Sequence, residues 1–225
     1  MNEAPATSRS IWDSVRGSSR MSPIWFDALL YLLAALFALV IALASHIPLY
    51  REWGKLAVAP YVVVALFSAG IALSRLAGRR LLTARVALSA LAIVGAVIVP
   101  LSCEVAWRFS VSPQDLHVQP EVTVIERAAD HLAHGQNPYQ AEVIDGVLHG
   151  QVAGLPPYEA FFPYLPAMTL FGLPMAAHLP AHLGDARIWF LLATLLVVAL
   201  ALWWSKADAS RRIRALQVAV VPPTA

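Results

Sequence analysis

The sequence predicts an all-α, polytopic membrane protein, and three observations carry that expectation. Hydrophobic residues make up 59% of the 225-residue chain and charged residues only 13%, where a soluble domain carries about a quarter charged residues. The apolar residues come in long blocks, several close to the roughly 20 residues a helix needs to cross hydrocarbon. Arg and Lys gather between certain blocks and avoid others, as the positive-inside rule requires of membrane proteins. A net charge of +2 is too small to suggest nucleic acid, and a single cysteine, Cys103, excludes an internal disulfide.

Residues 1–23 form a polar tail with Arg9, Arg16 and Arg20. The apolar run 24–45 follows, with Asp27 near its start. Ala42-Leu43-Ala44 resembles a signal-peptidase site, but the run exceeds an ordinary signal-peptide core and reads as an uncleaved anchor helix. A short connection carries Tyr50, Arg51, Glu52, Trp53 and Lys55, whose aromatics suit the headgroup region. The second span is 56–74. Arg75, Arg79, Arg80 and Arg85 come next, and the third span is 86–103 with Glu104 at its end. Arg clusters before the first span and between the second and third place both on the cytoplasmic side, so the loop 104–160 lies outside.

Within that loop, 120–134 reads as a helix. Pro120 suits its first turn, where the missing N–H costs nothing, and Gly135 suits the position after its last. Glu121, Ile125, Ala128 and Leu132 share one face, flanked by Val124 and Ala129; Arg127, Asp130, His131 and His134 share the other. Such an amphipathic helix can lie along the outer membrane surface. Glu121 on the apolar face admits two readings: a first-turn carboxylate favoured by the helix dipole, or a partly desolvated carboxylate facing a site. Asn137-Pro138-Tyr139 reads as a turn and 143–148 as a small hairpin. The aromatic and proline-rich stretch 155–166, including Tyr164, fits an interfacial belt or a groove for an isoprenoid chain.

The fourth apolar stretch, 161–177, is short and holds Pro163, Pro166 and Pro174, so it is a kinked span or a re-entrant segment. The last, 188–204, is a regular span, followed by a basic tail, 206–225, with Lys206, Arg211, Arg212 and Arg214. Five spans place that tail outside, against the charge rule; four place it inside. The domain plan is thus a cytoplasmic tail 1–23, a membrane domain 24–205 with 4–5 spans, and the tail 206–225.

The histidine pairs His131/His134 and His178/His182 lack a third ligand at close spacing, so no zinc site is expected. Phosphate loops, nucleophile elbows and HExxH motifs are absent from the sequence, and no cofactor is expected. A transporter is the weaker reading, because no span carries a charge near its centre.

Gln119-Pro120-Glu121-Val122, Glu126-Arg127-Ala128-Ala129 and Gly135-Gln136-Asn137-Pro138-Tyr139 resemble the first large outer loop of the GT-C class of polyprenyl-phosphate-sugar-dependent glycosyltransferases, particularly actinobacterial mannosyltransferase-like proteins related to glycosyltransferase family 87. Phe162-Pro163-Tyr164-Leu165-Pro166, Phe171-Gly172-Leu173-Pro174 and Asp185-Ala186-Arg187-Ile188-Trp189-Phe190 resemble the starts of the following helices in that group. The likeness runs from Gln119 to the C-terminus and matches the N-terminal half of such proteins, whose remaining spans a partner chain would have to supply. The resemblance implies sugar transfer at the outer membrane face, from a polyprenyl-phosphate sugar donor to a hydroxyl of a glycolipid or glycan acceptor. It implies Glu121, fourteen residues before Gly135 where the family more often has Asp, as the catalytic carboxylate, with Asp115 as the alternative. Arg127 or Arg108 would stabilise the leaving phosphate, unless each merely faces water, and Tyr139 and Tyr164 would contact substrate. The contrasting expectation is a non-catalytic membrane protein, a remnant or a partner that docks against other helices.

Overall fold

The computed structural model describes residues 22–74, 76–110, 118–141, 143–144, 146–148, 160–205 and 209–220. Four helices among them are long and apolar enough to cross a bilayer: α1 (Pro23–Ala44), α2 (Pro48–Leu73), α3 (Gly78–Ser110) and, further on, α7 (Ala186–Trp204). The protein is therefore an all-α, membrane-embedded polytopic chain, as its apolar blocks require.

Helices α1 and α2 form the tightest pair. Small residues at helical spacing on α1 (Ala28, Ala34, Ala35, Ala38, Ala42) are buried against Gly54, Ala57, Tyr61 and Val64 of α2. Without a hydrophobic drive between helices in lipid, close backbone approach is what holds such a pair. A Cβ on Gly54 would stand 2.6 Å from the Ala38 carbonyl oxygen, so only glycine permits this crossing.

Helix α3 contains a π-helical segment, Val94–Ile98, where the Val99 N–H bonds the Val94 carbonyl five residues back. Pro100 lies two residues further on. Its missing N–H would leave the Ala96 carbonyl without an ordinary helical partner, and a widened turn is one way a helix absorbs such a defect. Gly95 in the same turn faces the Pro60 ring of α2, where a Cβ would meet Pro60 Cβ at 2.8 Å. Two imperfect helices thus fit together at their irregularities.

The loop helix α4 (Pro120–Ala133) forms as its sequence predicts, with Pro120 in its first turn. It ends in a Schellman motif: Gln136 N–H bonds the His131 carbonyl at 2.8 Å, Gly135 N–H bonds Leu132 at 3.0 Å, and Gly135 takes φ 70°. The expected hairpin also forms, with Val143 paired to Leu148 and Ile144 to Val147.

Two stretches that the sequence left open take a definite form. The stretch 161–177 is not a span. It breaks into a 3-10 segment, Pro166–Phe171, and a single turn, α5 (Leu173–Ala176), followed by α6 (Ala181–Gly184). Pro166 and Pro174 each lie in the first turn of one of these pieces, since a ring without an N–H is tolerated in a first turn and breaks a helix interior. The basic tail is not merely a tail: α8 (Ala209–Val218) folds back on the bundle, burying Ile213 and Gln217. The Tyr61 hydroxyl donates to the Val220 carbonyl at 2.6 Å.

Those contacts fix the relative ends of the bundle. At one end, Asp27 of α1 accepts from Arg85 of α3 at 2.5 and 2.9 Å and from Gln217 of α8 at 2.6 Å. The start of α1, the first turns of α3 and the Gln217 end of α8 therefore meet there. From Arg85 to Arg108 along α3 is about 35 Å at 1.5 Å per residue, close to the roughly 30 Å hydrocarbon thickness. Two charged clusters among the described residues thus stand about one hydrocarbon thickness apart.

Candidate functional site at the loop end of the bundle

The far end of α3 meets α4 and the start of α7 in a buried charged network. The Arg108 guanidinium donates to both Glu126 carboxylate oxygens, at 2.9 and 2.6 Å, and to Asp185 at 2.9 Å. Arg187 grips Asp185 from the other side at 2.9 and 2.7 Å. It also reaches the Gln119 side-chain oxygen at 3.2 Å and stands 3.6 Å from Glu104. Gln119 closes the ring by donating to Glu104 at 3.1 Å. Glu104, Arg108, Glu126, Asp185 and Arg187 are all buried.

Helix ends place Asp185 and Arg187, and Glu126 meets them from the middle of α4. Asp185 caps α7, accepting from the Arg187 N–H at 3.0 Å, the role a short acidic side chain plays best. The Ala186 N–H, another unpaired first-turn donor, is taken by Glu126 at 3.1 Å. Glu104 and Arg108 lie one helical turn apart on α3. Burial alone would push the Asp185 carboxyl up, but the hydrogen bonds and charges of Arg187 and Arg108 outweigh it and hold that carboxyl below the ordinary range. The network contains three carboxylates and two guanidiniums, and one Glu104 oxygen has no hydrogen-bond partner.

Beside this network α4 is clamped between layers. Val122, Val124, Ile125 and Ala128 pack with Val118, Phe162 and Ala186, with Phe171 and Phe190 against them. Phe171 and Phe190 stack with ring centroids 4.1 Å apart. Gly172 presses on α4 so closely that a Cβ would sit 2.7 Å from the Ile125 carbonyl oxygen. The apolar face of α4 is therefore covered largely by protein. That contact turns the buried stripe toward Val122, Glu126 and Ala129, and Leu132, expected on the apolar face, is 41% exposed.

Glu121 is partly exposed in the first turn of α4, and its carboxylate accepts from the Tyr50 hydroxyl at 2.8 Å. Tyr50 comes from the first turn of α2, so this bond ties the first connection of the bundle to the loop helix. No known protein family, curated protein or solved structure matches this chain.

The other sequence candidates separate. Asp115 lies outside the described residues. Arg108 is consumed by two carboxylates and is an internal anchor, neither facing water nor free for a phosphate. Arg127 is partly exposed and lines a small cavity of about 20 Å³ with His131, Pro138 and Phe162. It lies six residues from Glu121, about 9 Å along the axis and on a different face. Tyr139 and Tyr164 do come together: the Tyr139 hydroxyl donates to the Tyr164 carbonyl at 3.0 Å, and Phe162 lies against both rings. Glu126, Asp185, Arg187 and Glu104 were not singled out as site residues from the sequence. Glu104, Asp185 and Arg187 carried a signal as charges at the edges of apolar runs, positions that demand a partner in a folded membrane protein, whereas Glu126, beside Arg127 within α4, carried none.

Proposed function

We propose that this chain is a GT-C-like glycosyltransferase, or the N-terminal portion of one, with Glu121 as its general base on the outer membrane face. The observation that carries the reading is Glu121 itself: a partly exposed carboxylate at the loop end of the bundle, held in place by Tyr50 and backed by a rigid buried network. The orientation follows the charge rule, with the Arg-rich end cytoplasmic and the α4 end outside.

In the reaction, Glu121 takes the proton of the acceptor hydroxyl while that oxygen bonds to the anomeric carbon. The bond from that carbon to the polyprenyl-phosphate oxygen breaks, and the phosphate leaves with the electron pair through an oxocarbenium-like transition state. Arg127, partly exposed on α4, is the guanidinium assigned to the leaving phosphate in this reading. Arg108, Arg187, Glu126 and Asp185 act by holding α4 and thereby Glu121; they are positioning residues. Tyr139 and Tyr164, with buried Phe162 packed against their rings, offer aromatic surface to an isoprenoid chain. Membranes holding the chain, supplied with polyprenyl-phosphomannose, should incorporate mannose into lipid or glycan, and a nucleotide-activated mannose should not substitute for that donor.

A second reading, a non-catalytic helix-packing partner, is favoured by one observation. Only 17% of the most apolar stretch of α7 is buried, against 28–33% in the other three spans. An apolar helix leaning out of its bundle offers a wide face to a second membrane protein. Co-purification with a partner chain whose removal abolishes transfer would support that reading.

A further inference from the structure

The Arg-rich end of the bundle carries a groove that the transferase reading does not use. It has a volume of about 640 Å³ and runs between α1, α3 and α8, within the range of small-molecule sites. Phe26 and Leu30 of α1 and Val218 of α8 form its apolar walls, and Arg85 and Arg214 its polar lining. Leu30 lies seven residues into α1, about 10 Å below its start. The groove therefore runs from headgroup depth into the region of acyl chains.

Charge at this end is one-sided. Arg79, Arg80, Arg212 and Arg214 are exposed there, and Arg85 lines the groove. Asp27 is the single acid at this end among the described residues, and it is already occupied by Arg85 and Gln217. Arg85 spends Nε and Nη2 on Asp27, and no bond from its Nη1 is present among the described residues. An ordered excess of guanidinium beside apolar walls, at the depth where a lipid phosphate meets its acyl chains, is complementary to one class of ligand.

We infer that this groove is a binding site for an anionic phospholipid of the adjoining leaflet, its phosphate on Arg214 and Arg85 and an acyl chain along Phe26 and Leu30. A bound lipid would pin α8 to the mouth of the bundle and so stabilise the folded chain by mass action. The inference stands independently of Glu121 and of any catalysis.

The test is thermal unfolding of the full chain in neutral detergent, titrated with phosphatidylglycerol, phosphatidylcholine or inorganic phosphate. Phosphatidylglycerol should raise the midpoint and saturate, while the other two leave it unchanged. Arg214→Gln, at an exposed position, should weaken the apparent affinity about fivefold. Leu30→Trp, which fills the apolar wall, should remove the saturating shift, and Arg51→Gln at the opposite end should change nothing. An equal shift with phosphatidylcholine, an effect reproduced by inorganic phosphate, or an Arg214→Gln titration identical to wild type would overturn the assignment.

Discussion

Removing Arg108 should be among the most destabilising single changes available in this protein, and a second substitution should partly undo it. Arg108 makes two bonds to Glu126 and one to Asp185. In Arg108→Met, Asp185 keeps Arg187, but Glu126 keeps only the Ala186 N–H. The network then holds three carboxylates against one guanidinium. Breaking a buried pair by deleting one partner costs about 3–5 kcal/mol, mostly from the charge left behind. Adding Glu126→Gln removes that stranded charge while keeping an oxygen for the Ala186 N–H. The double variant should therefore recover at least about 1 kcal/mol relative to Arg108→Met alone. Reversible unfolding in mixed micelles with increasing denaturing detergent measures all four proteins of the thermodynamic cycle: wild type, Arg108→Met, Glu126→Gln and the double variant. A loss below about 1 kcal/mol for Arg108→Met, or a double variant as unstable as the sum of the singles, would refute the reasoning from stranded charge.

Other outcomes follow from the same geometry. The Asp185 carboxyl is held below the ordinary range in the folded state, so its contribution is present above the unfolded pKa and lost as pH falls through the folded one. Wild-type stability should fall on acidification below about pH 4, and Asp185→Asn should be less stable at neutral pH with a flatter acid limb. Gly54→Ala should cost about 1–3 kcal/mol through overpacking against α1. Gly70→Ala, with nothing within 4 Å, should be neutral or slightly stabilising, and equal effects at the two sites would count against the close helix crossing. Tyr50→Phe removes one hydrogen bond to a carboxylate and should lower stability by about 1–2 kcal/mol; unchanged stability and unchanged transfer would remove Tyr50 from the site. Single cysteines placed in the N-terminal tail and after α8 should both label from the cytoplasmic side, and labelling from opposite sides would contradict a four-span topology.

Much of the architecture was legible because membrane physics acts on runs of residues. The three spans before the loop and the one after it appear directly as apolar blocks. Pro120 and Gly135 bracket α4 because each suits one end of a helix and neither suits its middle. Hidden parts depended on partners distant in sequence. Glu126 looks like an ordinary polar residue of α4 until Arg108, eighteen residues before it, and Ala186, sixty after it, arrive beside it. Asp185 and Arg187 look like a plain span entrance for the same reason. The exposure of Leu132 follows from Gly172 pressing on α4, a contact that no periodicity within α4 encodes. Helix α8 was the nearest miss: Ile213 and Gln217 stand one helical turn apart, but Arg211, Arg212 and Arg214 dominate the composition. Glu121 was singled out as a catalytic candidate by the family resemblance, and the fold adds the Tyr50 hydroxyl as a partner of its carboxylate.

The central claim is that Glu121 takes the proton of the sugar acceptor. Single-turnover transfer of mannose from polyprenyl-phosphomannose, compared between wild-type chain and Glu121→Gln in the same membranes, tests it most directly. The account predicts transfer by the wild type and a loss of about 10²- to 10⁴-fold in the variant, with donor binding retained. Equal rates in the two proteins, or no transfer by the wild type, would contradict it.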